Sequence, residues 1–264
     1  MLPLLAGRNR TAAMGMAPGM GRPASASTLK RHAWLSGIDH PVWVTAGASL
    51  KPNPEAKYCR GEREVAEPVY RCDWAQVDDP LMRSYHDHEW GRPLHGSQRL
   101  FAMLSLEIFQ CGLSWQLVLH RRQALFKDFD NFDIQAVAAF DADRINRLMD
   151  DPAIIRNRRK IEATVTNAAL IASQFPGEAF DRYCWSFTGG LTINHDYPDD
   201  PSIPRYDHLS AIVCKDMRDM GLRFLGPVTV HSFLQAAGMI NDHQHDCFLN
   251  GCGRPPLDPP APAI

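Results

Sequence analysis

Long apolar runs are missing from this 264-residue chain: no stretch of about 18 apolar residues occurs, so no membrane-spanning helix is expected. Surplus charge of either sign is missing too. Lysine and arginine number 28 against 30 acids, a formal net charge of -2. Bulk electrostatic attraction to nucleic acid is therefore excluded, although a local basic patch is not. A disulfide framework is absent. The seven cysteines are an odd set without tight repeated spacing, and several sit singly in apolar helical patterns, which suits a reducing compartment. Acid is absent before Asp39, where the chain is rich in Ala, Gly, Met, Pro and Ser with scattered Lys and Arg. Residues 1–66 read as a disordered extension, with Met14, Met16 and Met20 as alternative starts. A transit segment has similar composition, whereas a secretory signal would need a charged start and a longer apolar stretch.

Strand signals are scarce, and helical spacing fills the gap. Glu107 lies on a helix over about 97–112, with Ser97 as its cap and Gly112 as its end. Ser114 caps the next helix, which continues to about Phe129. Asp143 to Met149 is a short helix and Arg156 to Gln174 a long one, with Ile161, Val165, Ala168, Ala172 and Phe175 on one face. Leu209, Ile212, Val213 and Met220 mark a helix stopped at Gly221; Val230, Phe233, Leu234 and Ala237 mark a last one, entered at Gly226-Pro227. Phe126, Phe129, Phe132 and Phe140 read as core. The expectation is an all-α domain over residues 67–252 followed by a Pro-rich tail, 253–264.

Within this apolar pattern Glu107 is out of place. Its same-face neighbours are Leu100, Met103, Leu104 and Cys111. Burying even a neutral polar group without a partner costs roughly 2–7 kcal/mol, so something must hydrogen-bond to the carboxylate. A ligand is one candidate, because Tyr85, Trp90 and Trp115 lie in adjacent segments and can wall a pocket. The alternative is a glutamate paired within the protein.

Two further features carry chemistry. The segment Asp150 to Ile155, broken by Pro152, joins two helices, and the second opens with Arg156, Arg158, Arg159 and Lys160. A tight helix–hairpin–helix followed by four cations and free amides suits a phosphate clamp; a solvated basic helix start reads equally well. Separately, Cys72, His86, His243 and Cys247 form a tetrahedral zinc set of the structural kind, two nitrogens and two thiolates, that would tie the start of the domain to its end. Spacing alone leaves His88, His245 and Cys252 as rival ligands.

Several segments together resemble the type I 3-methyladenine DNA glycosylase family. They are Arg71-Cys72-Asp73-Trp74, Asp79-Pro80-Leu81, Tyr85-His86-Asp87-His88-Glu89-Trp90-Gly91, Leu106 to Trp115, Ile154 to Ile161, and Gly238-Met239-Ile240-Asn241-Asp242-His243. Their order and separations match over about residues 70–250. The resemblance implies a helix–hairpin–helix glycosylase fold with one structural Zn2+ on Cys72, His86, His243 and Cys247. It implies that Glu107 reads a damaged base among Tyr85, Trp90, Trp115 and Trp74. The implied partner is double-stranded alkylated DNA, gripped through Arg156, Arg158, Arg159 and Lys160, for a monofunctional, monomeric, cytoplasmic base-excision-repair enzyme. Where the family often carries glycine after the glutamate, this chain has Ile108, whose bulk could narrow the pocket and alter base choice. The hairpin also lacks the usual glycines. Rival readings are a non-enzymatic zinc-stabilised DNA-binding module and a zinc hydrolase with an open metal position. Asp181 falls where some glycosylases place a general base, but a surface role is the expectation; Tyr183 and Trp185 are expected to pack.

Overall fold

A computed structural model describes residues 69–197, 202–251 and 253. The extension over 1–66, nearly all of the tail, and Cys59 and Cys252 lie outside the described residues. Among the described residues the architecture is helical: α1 (Pro80–His88), α2 (Ser97–Gln110), α3 (Trp115–Asp128), α4 (Ile134–Ala138), α5 (Ala142–Asp150), α6 (Arg158–Gln174), α7 (Ala179–Ser186), α8 (His208–Asp219) and α9 (Pro227–Ala236). The strand content described is one parallel two-residue ladder, Ile193 beside Ile240 and Asn194 beside Asn241. No described helix is long and apolar enough to cross a membrane.

The middle of the fold is α2. Every residue from Leu100 to Phe109 is buried, because the segment is apolar on all sides and α3, α6, α7 and α9 pack around it. Its start departs from the sequence expectation. Gly96 occupies the cap position, and the Ser97 hydroxyl turns away to donate to the Gly177 carbonyl and accept from the Asp181 amide. Asp181 in turn accepts from the Gly96 amide. The capping function is thus supplied from α7 rather than from within the segment. Trp185 is buried and donates its indole N–H to the Leu94 carbonyl, so it packs.

Local signals explain the other helix starts. Ser114, Asp133, Asp141, Asn157 and Asp207 each accept a backbone N–H in the first turn of the helix that follows. Because Asn157 is extended and caps α6, Arg156 stands before the helix and not in it. The phenylalanines form the core packing expected of them: Phe129 and Phe132 stack at 5.3 Å, with Phe126 and Phe140 against them.

Lys160 corrects the sequence reading. The run of four cations at the start of α6 suggests four phosphate contacts, but the Lys160 side chain is only 3% exposed. Its Nζ donates to the Phe109 carbonyl at 2.7 Å and the Cys111 carbonyl at 2.6 Å. The carbonyls ending α2 have no intrahelical partners, and a cation there satisfies them and meets the negative end of the helix dipole. Lys160 is therefore a pin between α6 and the end of α2, two residues beyond Glu107. Replacing it with methionine keeps the apolar stem and removes both bonds. The expected loss is about 2–4 kcal/mol of unfolding free energy in urea titrations. A variant as stable as the parent would contradict the pin.

Candidate functional site

Three elements bring the predicted pocket residues together. Tyr85 lies on the inner face of α1, and Trp90 follows directly after that helix. Glu107 lies in the last turn of α2, and Trp115 opens α3 immediately after the Gly112 reversal (φ +80°). The Trp115 and Tyr85 rings stand 5.0 Å apart; Trp74 stands 6.3 Å from Tyr85 and 5.1 Å from Trp90. Two clamps hold α1 on α3: Asp79 accepts hydrogen bonds from Gln116 and His120 at 2.7 Å each, and Glu89 pairs with both arms of Arg122 at 2.6 and 3.0 Å. Asp79-Pro80 also starts α1, a cap followed by a proline at the first helical position. That dipeptide is a local start signal that the sequence reading did not use, since its helices begin at about residue 97.

The electrostatics of the pocket turn on Glu107. It is 4% exposed, and its Oε2 is buried with no hydrogen-bond partner among the described residues. Burial alone pushes its carboxyl from 4.5 up to about 8. Tyr85 is likewise held well above the usual phenol range, by burial first and then by the nearby Glu107. The Trp115 indole N–H is the second buried, unpartnered group here. An unused acceptor and an unused donor, walled by aromatic faces, are what a planar polar ligand would satisfy. Ile108 is fully buried in the main core, about 100° around α2 from Glu107. Two surface hollows lie elsewhere, at residues 123–131 and 218–225, and neither is lined by a buried side-chain atom without a partner.

Behind the pocket, Cys72, His86, His243 and Cys247 are all buried, with their ligand atoms within 4.8 Å of one another. Cys72 Sγ and His243 Nδ1 are 3.4 Å apart, as are Cys247 Sγ and His86 Nε2; Cys247 Sγ and His243 Nδ1 are 3.5 Å apart. Tetrahedral bonds of about 2.3 Å to sulfur and about 2.0–2.1 Å to nitrogen separate ligand atoms by roughly 3.4–3.8 Å, so the four residues fit a metal ion. The contact with Cys72 holds the Cys247 thiol low, and the same contact together with burial raises Cys72. Of the rivals, His88 is exposed and His245 is turned outward to Asp196 at 2.7 Å. Gly91 (φ +73°) lets the chain pass under His243, where an added Cβ would lie 3.0 Å from Nε2. Gly238 permits a still closer approach, since a Cβ there would lie 2.2 Å from the Arg92 carbonyl carbon.

The basic segment divides. Arg156 and Arg159 are exposed with no side-chain partner among the described residues. Arg158 is also exposed but donates to Asn146 at 2.7 Å and faces Glu162 at 3.6 Å. The connection from α5 to α6 is short, and Arg121 on α3 holds its Pro152 and Ile154 carbonyls.

The described body is thus helical, with a buried carboxyl group on α2 and a Cys2His2 cluster that links distant segments of the chain. The chain belongs to the methyladenine glycosylase family, whose model matches residues 74–250. It is similar to the DNA-3-methyladenine glycosylase of Haemophilus influenzae, 38% identical over 178 residues, which cover 67% of this chain and 96% of the relative. A crystal structure of 3-methyladenine DNA glycosylase I superposes with a TM-score of 0.66 at 37% identity, over 69% of this chain and all of that one. The Staphylococcus aureus enzyme, in a structure concerned with 3-methyladenine recognition, gives a TM-score of 0.61 at 36% identity, over 65% of this chain and 92% of that one.

The raised carboxyl of Glu107 has a consequence for stability. Because its folded value lies above its unfolded one, the folded protein keeps a proton that the unfolded chain releases between pH 4.5 and about 8. Stability from this group is fully present below that window and falls as pH rises through it. Glu107→Gln removes the dependence. Urea unfolding at pH 5.5 and pH 8 is expected to show the variant gaining on the parent with rising pH, by an amount on the order of a few kcal/mol. Parallel profiles would show that Glu107 is not buried as described.

Proposed function

We propose that this protein is a monofunctional base-excision-repair glycosylase that flips 3-methyladenine out of alkylated double-stranded DNA and hydrolyses its N-glycosyl bond. The observation that carries the reading is the buried Glu107, whose Oε2 has no partner among the described residues and whose charge acts on Tyr85, a ring that contacts Trp115 and Trp74, with Trp90 against Trp74. A base within a duplex cannot be inspected or cleaved in place, so it must leave the stack. Adenine methylated at N3 on the DNA strand is cationic and already a good leaving group. Selection is therefore the enzyme's main task.

The residues suit that selection. A cation entering the niche stacks on aromatic faces, worth about 0.5–2 kcal/mol, and gives Glu107 both an opposite charge and a donor. That favours loss of the proton which burial holds on the free carboxyl, so the charge appears only when the right base is present. Neutral adenine offers no such compensation. Water then attacks C1′ of the sugar, the C1′–N9 electron pair returns to the base and cancels its charge, and the water's proton leaves to solvent. Lys160, whose amine is committed to two carbonyls, is not available for a Schiff base, in keeping with a glycosylase that does not cut the strand.

Cys72, His86, His243 and Cys247 would hold one zinc, which with four protein ligands supplies structure and not catalysis. The domain is taken as residues 67–252, and α5, its turn and α6 as the helix–hairpin–helix. Arg156, Arg158 and Arg159 are then the phosphate contacts, with the enzyme a cytoplasmic monomer.

Two outcomes test this. DNA treated with a methylating agent is incubated with the protein and the freed bases are identified by mass spectrometry. The parent is expected to release 3-methyladenine, and Glu107→Gln far less; no release from folded, DNA-binding parent would leave a binding module instead. Cys247→Ala is expected to lose bound zinc and unfold at lower temperature together, whereas a variant that folds as well as the parent would contradict a structural metal.

A further inference from the structure

Beside the ligand quartet stands an ion pair that the reading above leaves unused. Arg71 immediately precedes the ligand Cys72, and Asp87 immediately follows the ligand His86. Arg71 grips Asp87 as a fork: Nε lies 2.9 and 3.0 Å from the two carboxylate oxygens, and Nη2 lies 2.8 Å from Oδ2. Asp87 Oδ1 also lies 2.8 Å from Nδ1 of His86, a ring that is wholly buried and presents Nε2 to the quartet. An imidazole that donates Nδ1–H to a carboxylate keeps the lone pair on Nε2, the atom facing Cys247. The Arg71 guanidinium further lies 5.8 Å over the ring of Phe248, the residue after the ligand Cys247. One salt bridge therefore touches the chain next to three of the four ligands.

We propose that Asp87, steadied by Arg71, is a positioning residue for the metal: it fixes the tautomer and direction of His86 and keeps three ligand segments at ligating distance. The proposal rests on the metal reading given above. A simpler role exists for comparison. A partly exposed ion pair that only tied segments together would change the unfolding of metal-free and metal-loaded protein alike and leave metal affinity untouched.

The test uses the full chain with Zn2+ as the probe and a chromophoric chelator as competitor. The parent is expected to bind one zinc, and Asp87→Ala to bind it about 10–100-fold more weakly. Imidazole nitrogen spectra of the metal-free proteins are expected to show His86 protonated at Nδ1 in the parent and mixed tautomers in the variant. Arg71→Met, which keeps the bond from Asp87 to His86, serves if Asp87→Ala does not fold, and is expected to show a smaller loss of affinity. Parent-like zinc affinity in whichever of these variants folds would overturn the proposal while leaving the metal reading intact. A parent that takes up no zinc would overturn both.

Discussion

The burial of one carboxylate is the constraint around which this structure is organised. Glu107 sits on a helix enclosed on every side, its Oε2 has no hydrogen-bond partner among the described residues, and burial pushes its carboxyl up to about 8. A group in that condition weakens the free protein at neutral and higher pH. The helix that carries it is fixed in compensation. Lys160 satisfies the carbonyls just past it, Asp181 and Ser97 tie its start to α7, and the Gln116–Asp79 hydrogen bond and the Arg122–Glu89 ion pair hold α1 against α3. On the function proposed above, a ligand that brings both a donor and a positive charge would offset the cost at Glu107 and make an unsatisfied group a selective one.

The Cys2His2 quartet and the niche are one continuous construction. Ring contacts run from Trp115 to Tyr85, to Trp74 and to Trp90, and Trp90 meets the His243 ring at 4.5 Å. Tyr85 and His86 are consecutive residues, so the backbone that directs one into the niche directs the other into the quartet. An ion on the quartet would draw residues 72, 86, 243 and 247 together and set the aromatic wall from behind. On the function proposed above, metal binding and base recognition would then be coupled through packing, with no need for the metal to touch the base.

Much of this was legible in the sequence, because the helices are read from apolar spacing and Glu107 breaks that spacing. The cap at Ser114, the Gly112 reversal and the entry at Gly226-Pro227 are local, and local signals survive into the fold. What was not legible depends on long-range partners. Lys160 looks like its arginine neighbours until α2 is seen to end against it. Ser97 has the chemistry of a cap, but α7 satisfies the helix start instead. The choice between His243 and His245 rests on which faces Cys72, some 171 positions earlier in the chain. The start of α1 at Asp79-Pro80 was written locally, yet Asp79 also accepts from α3, which no local signal announces.

The most direct measurement is the binding of free bases to the unmodified protein, followed by the tryptophan fluorescence of the niche. The account predicts saturable quenching by 3-methyladenine, weaker binding of adenine, and a loss of about tenfold or more in affinity for 3-methyladenine when Glu107 becomes glutamine. Equal binding of the two bases, or 3-methyladenine binding unchanged by that substitution, would contradict the claim that a buried carboxylate reads the damaged base.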